Sequence, residues 1–343
     1  MKRIFIVCFS VLLLSSTVAQ NAEDRGDYRI VFYNVENLFD VENDSLTVDD
    51  DFTREGRMYW SFNKYKKKIN RIAQVIMAVG GWEIPEIVGL CEVENRYVLE
   101  GLTRYTALAR FHYDIIHYDS PDRRGIDVAM LYQKDKFTPL YTEALKVDLK
   151  DLDGGTTRDI LYVKGETTTQ DTLHIFVNHW PSKYGGALQT VPKRNKAALT
   201  LKAKTDSLLQ NDPLAKIIIM GDLNTEADRT PIVKTLGARI KWENTDELGL
   251  YNLSARWNKI SGYGSHKYHG VWGSLDHIIV SNGMFKGRGS LFVYENDAKV
   301  YCPAFLLEDD KEGGQKPFRT NIGMKYNDGF SDHLPVYLDL WRE

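Results

Sequence analysis

The stretch Lys216–Glu226, KIIIMGDLNTE, decides the fold class of this chain. Its apolar residues run without a break into Gly221 and Asp222, a pattern typical of a strand that is buried on both faces and ends in a turn. In open α/β sheets, ligands bind where such strands leave the core. Asp222 and Asn224 are two residues apart, so in extended geometry their side chains point to the same side. Taken alone, the pair favours an ordinary strand end, where Asp and Asn bond to turn backbone.

Length and composition indicate a folded protein that is exported. The chain has 343 residues, of which 43% are hydrophobic and 12% aromatic, so it can bury a large core and is not a disordered tail. Residues 1–19 begin with Lys2 and Arg3, continue apolar and end in small residues, which is the order of a signal peptide cleaved near Ala19. The apolar run is too short to span a bilayer. We therefore expect a secreted or periplasmic protein without an integral membrane span.

The charge of the chain excludes a strongly basic nucleic-acid binder. The formal net charge is −3, and loss of Lys2 and Arg3 with the signal peptide makes it −5. A mildly acidic protein lacks the global electrostatic footprint of such a binder. A nuclease is not excluded, because bound metal can supply local positive charge. Cys91 lies in an apolar run and is interpreted as a buried small hydrophobe.

Polar residues border five further predicted strands: Asn34 and Glu36, Glu92, Asn178 and His179, Asp276, and Asp332 with His333. Glu92 favours a functional interpretation, because buried strand ends seldom carry Glu for packing. His333 is not needed for packing, since Val336 and Leu338 already supply the last strand. A lone histidine such as His179 is usually structural, but its place in this set favours function.

Helical periodicity separates several of these strands. The segment Tyr65–Val79 repeats apolar residues on one helix face, and Gly80 stops it. A second helix is expected from Asn95 towards Ala109, and a third over Pro192–Gln210. The long stretch Phe292–Asn327 is predicted to be an irregular surface excursion near the site.

Two charged loops leave alternatives open. Arg123 and Arg124 precede Gly125, which lets backbone approach closely, so they suit either a phosphate contact or a pair bonded to neighbouring carboxylates. The loop with Asp44 and residues 49–51 suits either a structural Ca²⁺ or a solvated turn, because it lacks the spacing of a calcium loop.

The combined residues favour metal-assisted hydrolysis. Carboxylates and amides without a cysteine cluster suit Mg²⁺ or Mn²⁺. Two histidines beside such an ion suit attack of water on a phosphodiester, in which one group takes the proton of water and another protonates the leaving oxygen. An Asp paired with His would orient the ring and keep it charged.

The order of the motifs resembles the endonuclease/exonuclease/phosphatase superfamily, which includes deoxyribonuclease I, exonuclease III, apurinic endonucleases, neutral sphingomyelinases and inositol phosphatases. The motifs are Asn34-Val35-Glu36, Cys91-Glu92, Asn178-His179-Trp180-Pro181, Gly221-Asp222-Leu223-Asn224, Leu275-Asp276-His277 and Ser331-Asp332-His333. The resemblance runs from Tyr28 to the C-terminus and implies one domain over residues 20–343. It implies an α/β (α+β) fold, a four-layer sandwich in which two packed mixed β-sheets are flanked by helices.

The resemblance also implies which residues bind the metal and the substrate. Glu92 would hold Mg²⁺, helped by Asn34 and Asp332, and Glu36 joins them as a candidate metal ligand. Arg124 and Asn178 are candidate contacts for the substrate phosphate.

The catalytic roles follow in the same way. Asp222 would position or deprotonate water, Asn224 would hold a phosphate oxygen, and Asp276 would orient the His333 ring. His179 stands where deoxyribonuclease I-like and sphingomyelinase-like members carry histidine and apurinic endonucleases carry tyrosine. Its carboxylate partner stays open, with Asp127 as a candidate.

The function expected from the sequence is a secreted, monomeric, metal-dependent endonuclease that hydrolyses phosphodiester bonds of nucleic acid. The stretches NVENLFD, YDSPDRRGIDVAMLY and NHWPSKYGG also look like a group of secreted bacterial members described as endonucleases. The alternative is a phospholipid (sphingomyelinase-like) or sugar-phosphate phosphodiesterase or phosphatase. A non-catalytic binding protein would lack at least one site residue, and none is missing.

Overall fold

The computed structural model describes residues 25–152, 155–241, 249–285 and 290–343. The predicted signal peptide lies outside these ranges, and the limits of the predicted domain stay a prediction. No helix among the described residues is long and apolar enough to cross a membrane.

Two large mixed sheets form the centre of the molecule, with strands numbered in chain order. The first sheet has seven strands: β1 (Tyr28–Leu38), β2 (Ile87–Val93), β3 (Tyr113–His117), β4 (Asp127–Gln133), β14 (Leu291–Phe292), β15 (Ala298–Val300) and β20 (Val336–Arg342). The second also has seven: β5 (Phe137–Leu145), β6 (Ile160–Thr167), β7 (Thr172–His179), β8 (Lys216–Asp222), β9 (Ala238–Arg239), β10 (Leu250–Asn252) and β13 (Asp276–Ser281).

Strand order places the site residues in the middle of each sheet. In the first sheet the order is β14-β20-β1-β2-β4-β3, with β15 also on β20, and in the second it is β5-β6-β7-β8-β13-β10-β9. Strand β1 runs parallel to β2 and antiparallel to β20, while β8 runs parallel to β7 and antiparallel to β13. The ends of β1, β2, β7 and β8 and the start of β13 therefore carry the polar residues singled out in the sequence.

The apolar run in β8 is explained by burial on both faces. Ile218 and Met220 belong to the core between the two sheets, whereas Ile217 and Ile219 pack with the helix on the outer face. The close approach of the sheets depends on Gly89 in β2, where an added Cβ would lie 2.7 Å from the Met220 Cε. This packing confirms the strand predicted from KIIIMGD.

In the part of the chain that the structure describes, three α-helices form the outer layers: α1 (Phe62–Gly80), α2 (Arg96–Arg104) and α3 (Val191–Asn211). Helix α1 begins after Ser61, whose side chain accepts a hydrogen bond from the Lys64 N–H, and its buried face carries Ile69, Ile72 and Ile76. Helix α3 packs Ala198 and Leu201 onto the second sheet. Helices therefore cover both sheets, which confirms the predicted four-layer sandwich.

The remaining elements are short. Small hairpins form from β11 (His266–Tyr268) and β12 (Val271–Gly273), β16 (Leu307–Asp309) and β17 (Gln315–Pro317), and β18 (Asn321–Ile322) and β19 (Lys325–Tyr326). A short helix spans Pro231–Leu236. The expected irregular excursion over 292–327 thus contains strand β15 and two hairpins. Cys91 is buried and unpaired, as predicted.

Candidate active site

Strand register brings three ionisable residues to one line across the second sheet. Asp222 at the end of β8 is the register partner of His179 on β7 and of Asp276 on β13. Asn34 reaches the same place from the first sheet, where its Nδ2 donates to Asp222 Oδ2 at 3.1 Å. The gap between the two sheets therefore opens onto a polar cluster centred on Asp222.

Asp222 is a buried carboxylate with both oxygens hydrogen-bonded. Its Oδ1 accepts from the Asn224 backbone N–H at 2.9 Å, and its Oδ2 lies 3.8 Å from His179 Nε2 and 3.9 Å from His333 Nε2. Burial raises the pKa of Asp222 to about 7, the nearby Asp276 carboxylate adds to the rise, and His333 opposes it. A carboxylate with this pKa takes up and releases protons near neutral pH.

His333 and Asp276 form a close buried pair. His333 Nδ1 and Asp276 Oδ2 are 2.7 Å apart. Burial favours the neutral ring, but the Asp276 carboxylate outweighs it and holds the pKa of His333 well above its usual value. The ring therefore carries a proton on Nδ1 for Asp276 and presents Nε2 towards Asp222.

His179 is a buried, neutral ring without the expected carboxylate partner on Nδ1. Burial lowers the pKa of His179 well below its usual value, and Arg158 and Arg124 lower it further. Its Nε2 lies 3.8 Å from Glu92 Oε1, while Nδ1 has no hydrogen-bond partner among the described residues. Asp127 is not that partner, because its Oδ2 lies 3.0 Å from His117 Nε2 at the neighbouring strand ends.

Glu92 is turned into the site by a bulge in β2. The pairing of β2 with β4 shifts register between Cys91 and Val93, and Glu92 between them has a φ of 62°. Its Oε2 accepts from the Asn37 N–H at 3.0 Å, and its Oε1 lies 3.4 Å from Asn34 Nδ2. Non-glycine residues rarely adopt positive φ, and such strain concentrates at functional sites.

Glu36 is not part of this cluster, contrary to its prediction as a metal ligand. Its Oε1 accepts from Arg319 Nε at 3.3 Å and its Oε2 from the Thr320 N–H at 2.6 Å. The positive φ of 52° at Glu36 breaks the alternation that would have placed it beside Asn34. Its pKa is raised to about 7 by burial and by the Asp332 carboxylate. Glu36 instead anchors the segment that carries Asp332.

Asp332 lies at the edge of the site. Its Oδ2 accepts from Arg319 Nη2 at 3.0 Å. A carboxylate oxygen of Asp332 and one ring nitrogen each of His333 and His266 all lie within 4.8 Å of one another. Asp332 is therefore available as an oxygen ligand at the rim.

Asn178 uses its side-chain amide within the protein, and its role as a phosphate contact stays a prediction. The residue is fully buried, its Nδ2 donates to the Met220 carbonyl at 3.3 Å, and its Oδ1 accepts from Trp180 Nε1 at 3.1 Å. Asn224 keeps its predicted position, with a φ of 51° and one amide hydrogen bond from Nδ2 to the Trp180 carbonyl at 3.0 Å. Its second amide hydrogen suits a phosphate oxygen.

Arg124 lies near the site on the loop before β4. Its side chain is half exposed, and the Arg124 N–H donates to Asp122 Oδ1 at 2.9 Å. Its charge contributes to the lowered pKa of His179. The interpretations as phosphate contact and as carboxylate pair are both compatible with this position.

Sequence patterns did not reveal several basic residues around the site. Arg158 is buried and donates to the His179 carbonyl at 3.2 Å and to Asp122 Oδ2 at 3.0 Å. Burial lowers the pKa of Lys183, and the nearby Glu226 and Asp222 carboxylates oppose that effect. Arg158 precedes strand β6, and Lys183 lies just after the motif Asn178-His179-Trp180-Pro181, but only the folded contacts show that both lie beside the site.

A cavity of about 440 Å³ extends from the loop after Asn224. Its lining combines basic and apolar side chains with one acidic residue, and it includes Lys183, Arg194, Arg229, Leu188, Pro231 and Glu226. Arg194 is buried and donates to the Ala187 carbonyl at 2.8 Å and to Thr190 Oγ1 at 2.9 Å. These bonds fix the loop that carries Lys183.

His277, next to Asp276, is structural. Its Nε2 lies 2.8 Å from the Thr225 carbonyl, and its Nδ1 lies 3.1 Å from Asn252 Nδ2. A neutral ring with its proton on Nε2 satisfies both partners. Burial lowers the pKa of His277 to about 4.

The acidic loop after β1 keeps its carboxylates on local partners. Asp44 Oδ1 accepts from the Leu46 N–H at 2.9 Å, and Asp51 binds Arg57 through two hydrogen bonds of 2.7 and 2.6 Å. These contacts favour the turn interpretation over a structural Ca²⁺ site.

The donor set of the central cluster fits a hard divalent cation. Among the described residues, the only basic groups within 4.0 Å of the Glu92, Asp222 and Asp276 carboxylates are the imidazoles of His179 and His333. Asp276 Oδ1 is buried without a hydrogen-bond partner there. Several carboxylates gathered without Lys or Arg attract a cation, and oxygen ligands suit Mg²⁺ or Mn²⁺.

Comparison with known families gives one match across almost the whole chain. The family described as Endonuclease/Exonuclease/phosphatase family matches residues 29–342. A comparison with curated proteins found no significant match.

Solved structures share the fold at low sequence identity. A mannosyl-6-phosphatase of Bacteroides thetaiotaomicron is 15% identical with a TM-score of 0.54, over 91% of this chain and 99% of that one. The human Nocturnin catalytic domain is 14% identical with a TM-score of 0.53, over 92% and 94% of the two chains. D. rerio TDP2, complexed with a single strand DNA product, is 14% identical with a TM-score of 0.54, over 91% and 98%. At this identity the likeness shows the fold alone.

Proposed function

The chain belongs to the endonuclease/exonuclease/phosphatase family and is a hydrolase of phosphoric ester bonds, and we propose that it is a secreted, divalent-metal-dependent phosphodiesterase that cleaves nucleic acid. The observation that carries the proposal is the position of Asp222. Its Oδ2 lies 3.8 Å from one imidazole, His179, and 3.9 Å from another, His333. A water molecule placed among these groups would have the Asp222 carboxylate as its proton acceptor. The protonated His333 ring would be a nearby donor of opposite charge.

Asp222 acts as the general base in this proposal. Its pKa of about 7 lets it accept the proton of the attacking water at neutral pH. The Asn34 amide and the Asn224 N–H hold its two oxygens and so fix the direction of attack.

The protonated His333 ring serves the phosphate. Asp276 holds its Nδ1 at 2.7 Å, so the Nε2 proton points towards the phosphoryl oxygens and the leaving group. Asn224 Nδ2 contributes a neutral donor on the same side. The neutral His179 supplies a further hydrogen bond without adding charge.

Glu92 would hold the divalent ion, with Asp332 contributing an oxygen ligand, whereas Asn34 presents its Nδ2 to Glu92 and Asp222 and gives its Oδ1 to the Glu36 N–H. When bound, the ion would neutralise charge on the phosphoryl group and polarise it towards attack. Asn34 contacts both Glu92 and Asp222, so it would keep the ligand and the base at a fixed separation.

Nucleic acid is the substrate favoured by the basic groups beside the cluster. Lys183 and Arg124 flank the central carboxylates on two loops, and the cavity of about 440 Å³ continues past Asn224. A single phosphoryl group needs no such extension, whereas the flanking phosphates of a polynucleotide suit basic side chains. The bound DNA of TDP2 is compatible with this choice.

The test measures hydrolysis of several phosphoesters by the protein that begins at Gln20. Plasmid DNA, RNA, sphingomyelin vesicles, bis(p-nitrophenyl) phosphate and mannose 6-phosphate are incubated with Mg²⁺ or with EDTA. We expect cleavage of nucleic acid and of the generic diester in Mg²⁺ and none in EDTA. Hydrolysis of mannose 6-phosphate or sphingomyelin with intact DNA and RNA would refute the nucleic-acid proposal. Full activity in EDTA would refute the metal requirement.

Export is tested separately from activity. Removal of residues 1–19 by a signal peptidase predicts a mature N-terminus near Gln20. Mass spectrometry of the N-terminal peptide from cell fractions measures this. An intact Met1 peptide in the cytoplasmic fraction as the sole form would refute export.

A further inference from the structure

Two histidines and a carboxylate meet at the rim of the site in a group that the catalytic proposal does not use as a unit. One nitrogen or oxygen from each of His266, Asp332 and His333 lies within 4.8 Å of the other two. His266 was not among the residues singled out in the sequence. It follows no strand, and it opens the short hairpin formed by β11 and β12.

Backbone hydrogen bonding holds His266 against His333. The two residues form an isolated antiparallel bridge, and the Leu334 N–H donates to the Ser265 carbonyl at 2.7 Å. Their ring centroids are 4.8 Å apart, and His266 is partly exposed. The separation of the two rings is therefore set by main-chain bonds and not by flexible side chains.

The His333 ring is oriented as metal-binding histidines are. Ligating histidines usually give their second nitrogen to a carboxylate, which fixes the tautomer. Asp276 Oδ2 takes His333 Nδ1 at 2.7 Å, so Nε2 is the nitrogen left to bind an ion. Asp332 Oδ2 accepts a hydrogen bond from Arg319 Nη2 at 3.0 Å.

Negative charge around His333 favours a cation at this position. Carboxylate oxygens of Asp276 and Asp222 lie 2.7 Å and 3.9 Å from its ring nitrogens, and Asp332 is the preceding residue. Two basic side chains oppose this charge: Arg319 Nη2 lies 3.0 Å from Asp332 Oδ2, and Arg319 and Lys68 both help to lower the pKa of Asp332.

We propose that His266, Asp332 and His333 form a second cation site, selective for borderline transition-metal ions such as Zn²⁺ and Co²⁺ over Mg²⁺. Imidazole nitrogens bind Zn²⁺ and Co²⁺ well, whereas Mg²⁺ prefers oxygen ligands. Three protein ligands with a fourth, open position is also a common arrangement for zinc. The site shares Asp332 with the proposed Mg²⁺ ligands but takes its selectivity from the two histidines.

Occupation of this site has a consequence for catalysis that rests on the proposed function. An ion that binds His333 Nε2 displaces the proton of that nitrogen to solvent, and this removes the donor that faces the substrate phosphate. Zn²⁺ therefore inhibits Mg²⁺-supported hydrolysis. Metal binding is measured without substrate, so a protein that hydrolyses none of the substrates would still test the binding prediction.

The direct test is Co²⁺ titration of the metal-free protein that begins at Gln20, followed by visible absorption and repeated with saturating Mg²⁺. The variant is His266→Asn, and the matched control is His269→Asn, an exposed histidine three residues away on the same hairpin. We expect one Co²⁺ with ligand-field bands in the unaltered protein and the control, and at least a tenfold weaker affinity in His266→Asn.

Two results would overturn the proposal. One is equal Co²⁺ affinity in folded His266→Asn, which would place the ion elsewhere. The other is complete displacement of Co²⁺ by Mg²⁺, which would make this the Mg²⁺ site. If circular dichroism shows that His266→Asn is unfolded, His266→Gln takes its place, and the Zn²⁺-induced rise in Tm of the unaltered protein must still be lost in it.

Discussion

Replacement of Asp222 by Asn tests the centre of the proposed mechanism with a nearly isosteric change. Asp222 Oδ1 accepts from the Asn224 N–H at 2.9 Å and Oδ2 accepts from Asn34 Nδ2 at 3.1 Å. Both partners are donors, so the new NH₂ group faces a donor whichever way the amide turns. The variant loses the negative charge, the proton acceptor and one hydrogen bond.

The expected loss of activity is much larger than the expected loss of stability. A positioned general base contributes about 10²- to 10⁴-fold to the rate. We therefore expect kcat to fall about 1000-fold, which corresponds to about 4 kcal/mol of lost transition-state stabilisation. The unmatched amide costs about 1 to 3 kcal/mol of folding free energy. Part of that cost is offset because burial and Asp276 disfavour the charged carboxylate.

The assay separates these two effects. Steady-state hydrolysis of bis(p-nitrophenyl) phosphate in Mg²⁺ gives kcat and KM, and urea unfolding of the same preparation gives the stability. The control is Asp228→Asn, an exposed carboxylate beyond the site. A folded Asp222→Asn protein that keeps more than about a tenth of kcat would refute the role of Asp222.

Three predictions concern the scaffold. The pKa of His277 is about 4 in the folded protein against 6.5 for an ordinary histidine, so the unfolded chain binds more protons between these values. The free energy of unfolding should fall by up to about 3 kcal/mol as the pH drops from about 6.5 to about 4. Urea unfolding of His277→Gln at several pH values should show a free energy of unfolding that lacks this contribution to its pH dependence. Gly89→Val should cost about 1 to 3 kcal/mol in urea unfolding, because the added atoms meet Met220, and an unchanged midpoint would contradict the packing. Asp339→Ala should lower stability by about 3 to 5 kcal/mol in thermal unfolding, because it leaves the buried Arg29 charge without its partner. The double variant Arg29→Met with Asp339→Leu should lose far less. Equal losses in the two variants would show that the unpaired charge is not the cause.

The strands and helices could be predicted from the sequence because their signals are local, whereas their arrangement in four layers was implied by the resemblance to a known family. The apolar run ending at Asp222 and the periodic face with Ile69 and Ile76 depend only on neighbours in the chain. Burial on both faces of β8 and packing of α1 on the first sheet follow from those patterns. The position of Asp222 at the end of β8 follows from the same run. Its Oδ1 accepts from the Asn224 N–H at 2.9 Å, which is the bond to turn backbone expected of this pair, while Oδ2 faces the site.

The details of the site depend on contacts between distant segments. Glu36 and Arg319 are 283 residues apart, and no local pattern links them. Side chains alternate between the two faces of an extended strand, so residues two apart would share a face. The positive φ at Glu36 and at Glu92 breaks this alternation. Asn178 stands at the right strand end, but its amide is used by Trp180, which only side-chain geometry reveals.

Pairing of the first strand with the last has a consequence for the timing of activity during synthesis. Tyr28 in β1 pairs with Leu340 in β20, and Lys68 in α1 donates to the Phe330 carbonyl at 2.7 Å just before Asp332. A nascent chain released only up to α3 and β8 already holds Glu92, His179 and Asp222 but has no His333. Because His333 comes from a later part of the chain than Glu92, His179 and Asp222, the proposed site is complete only after the segment that carries His333 has docked beside β1 and α1.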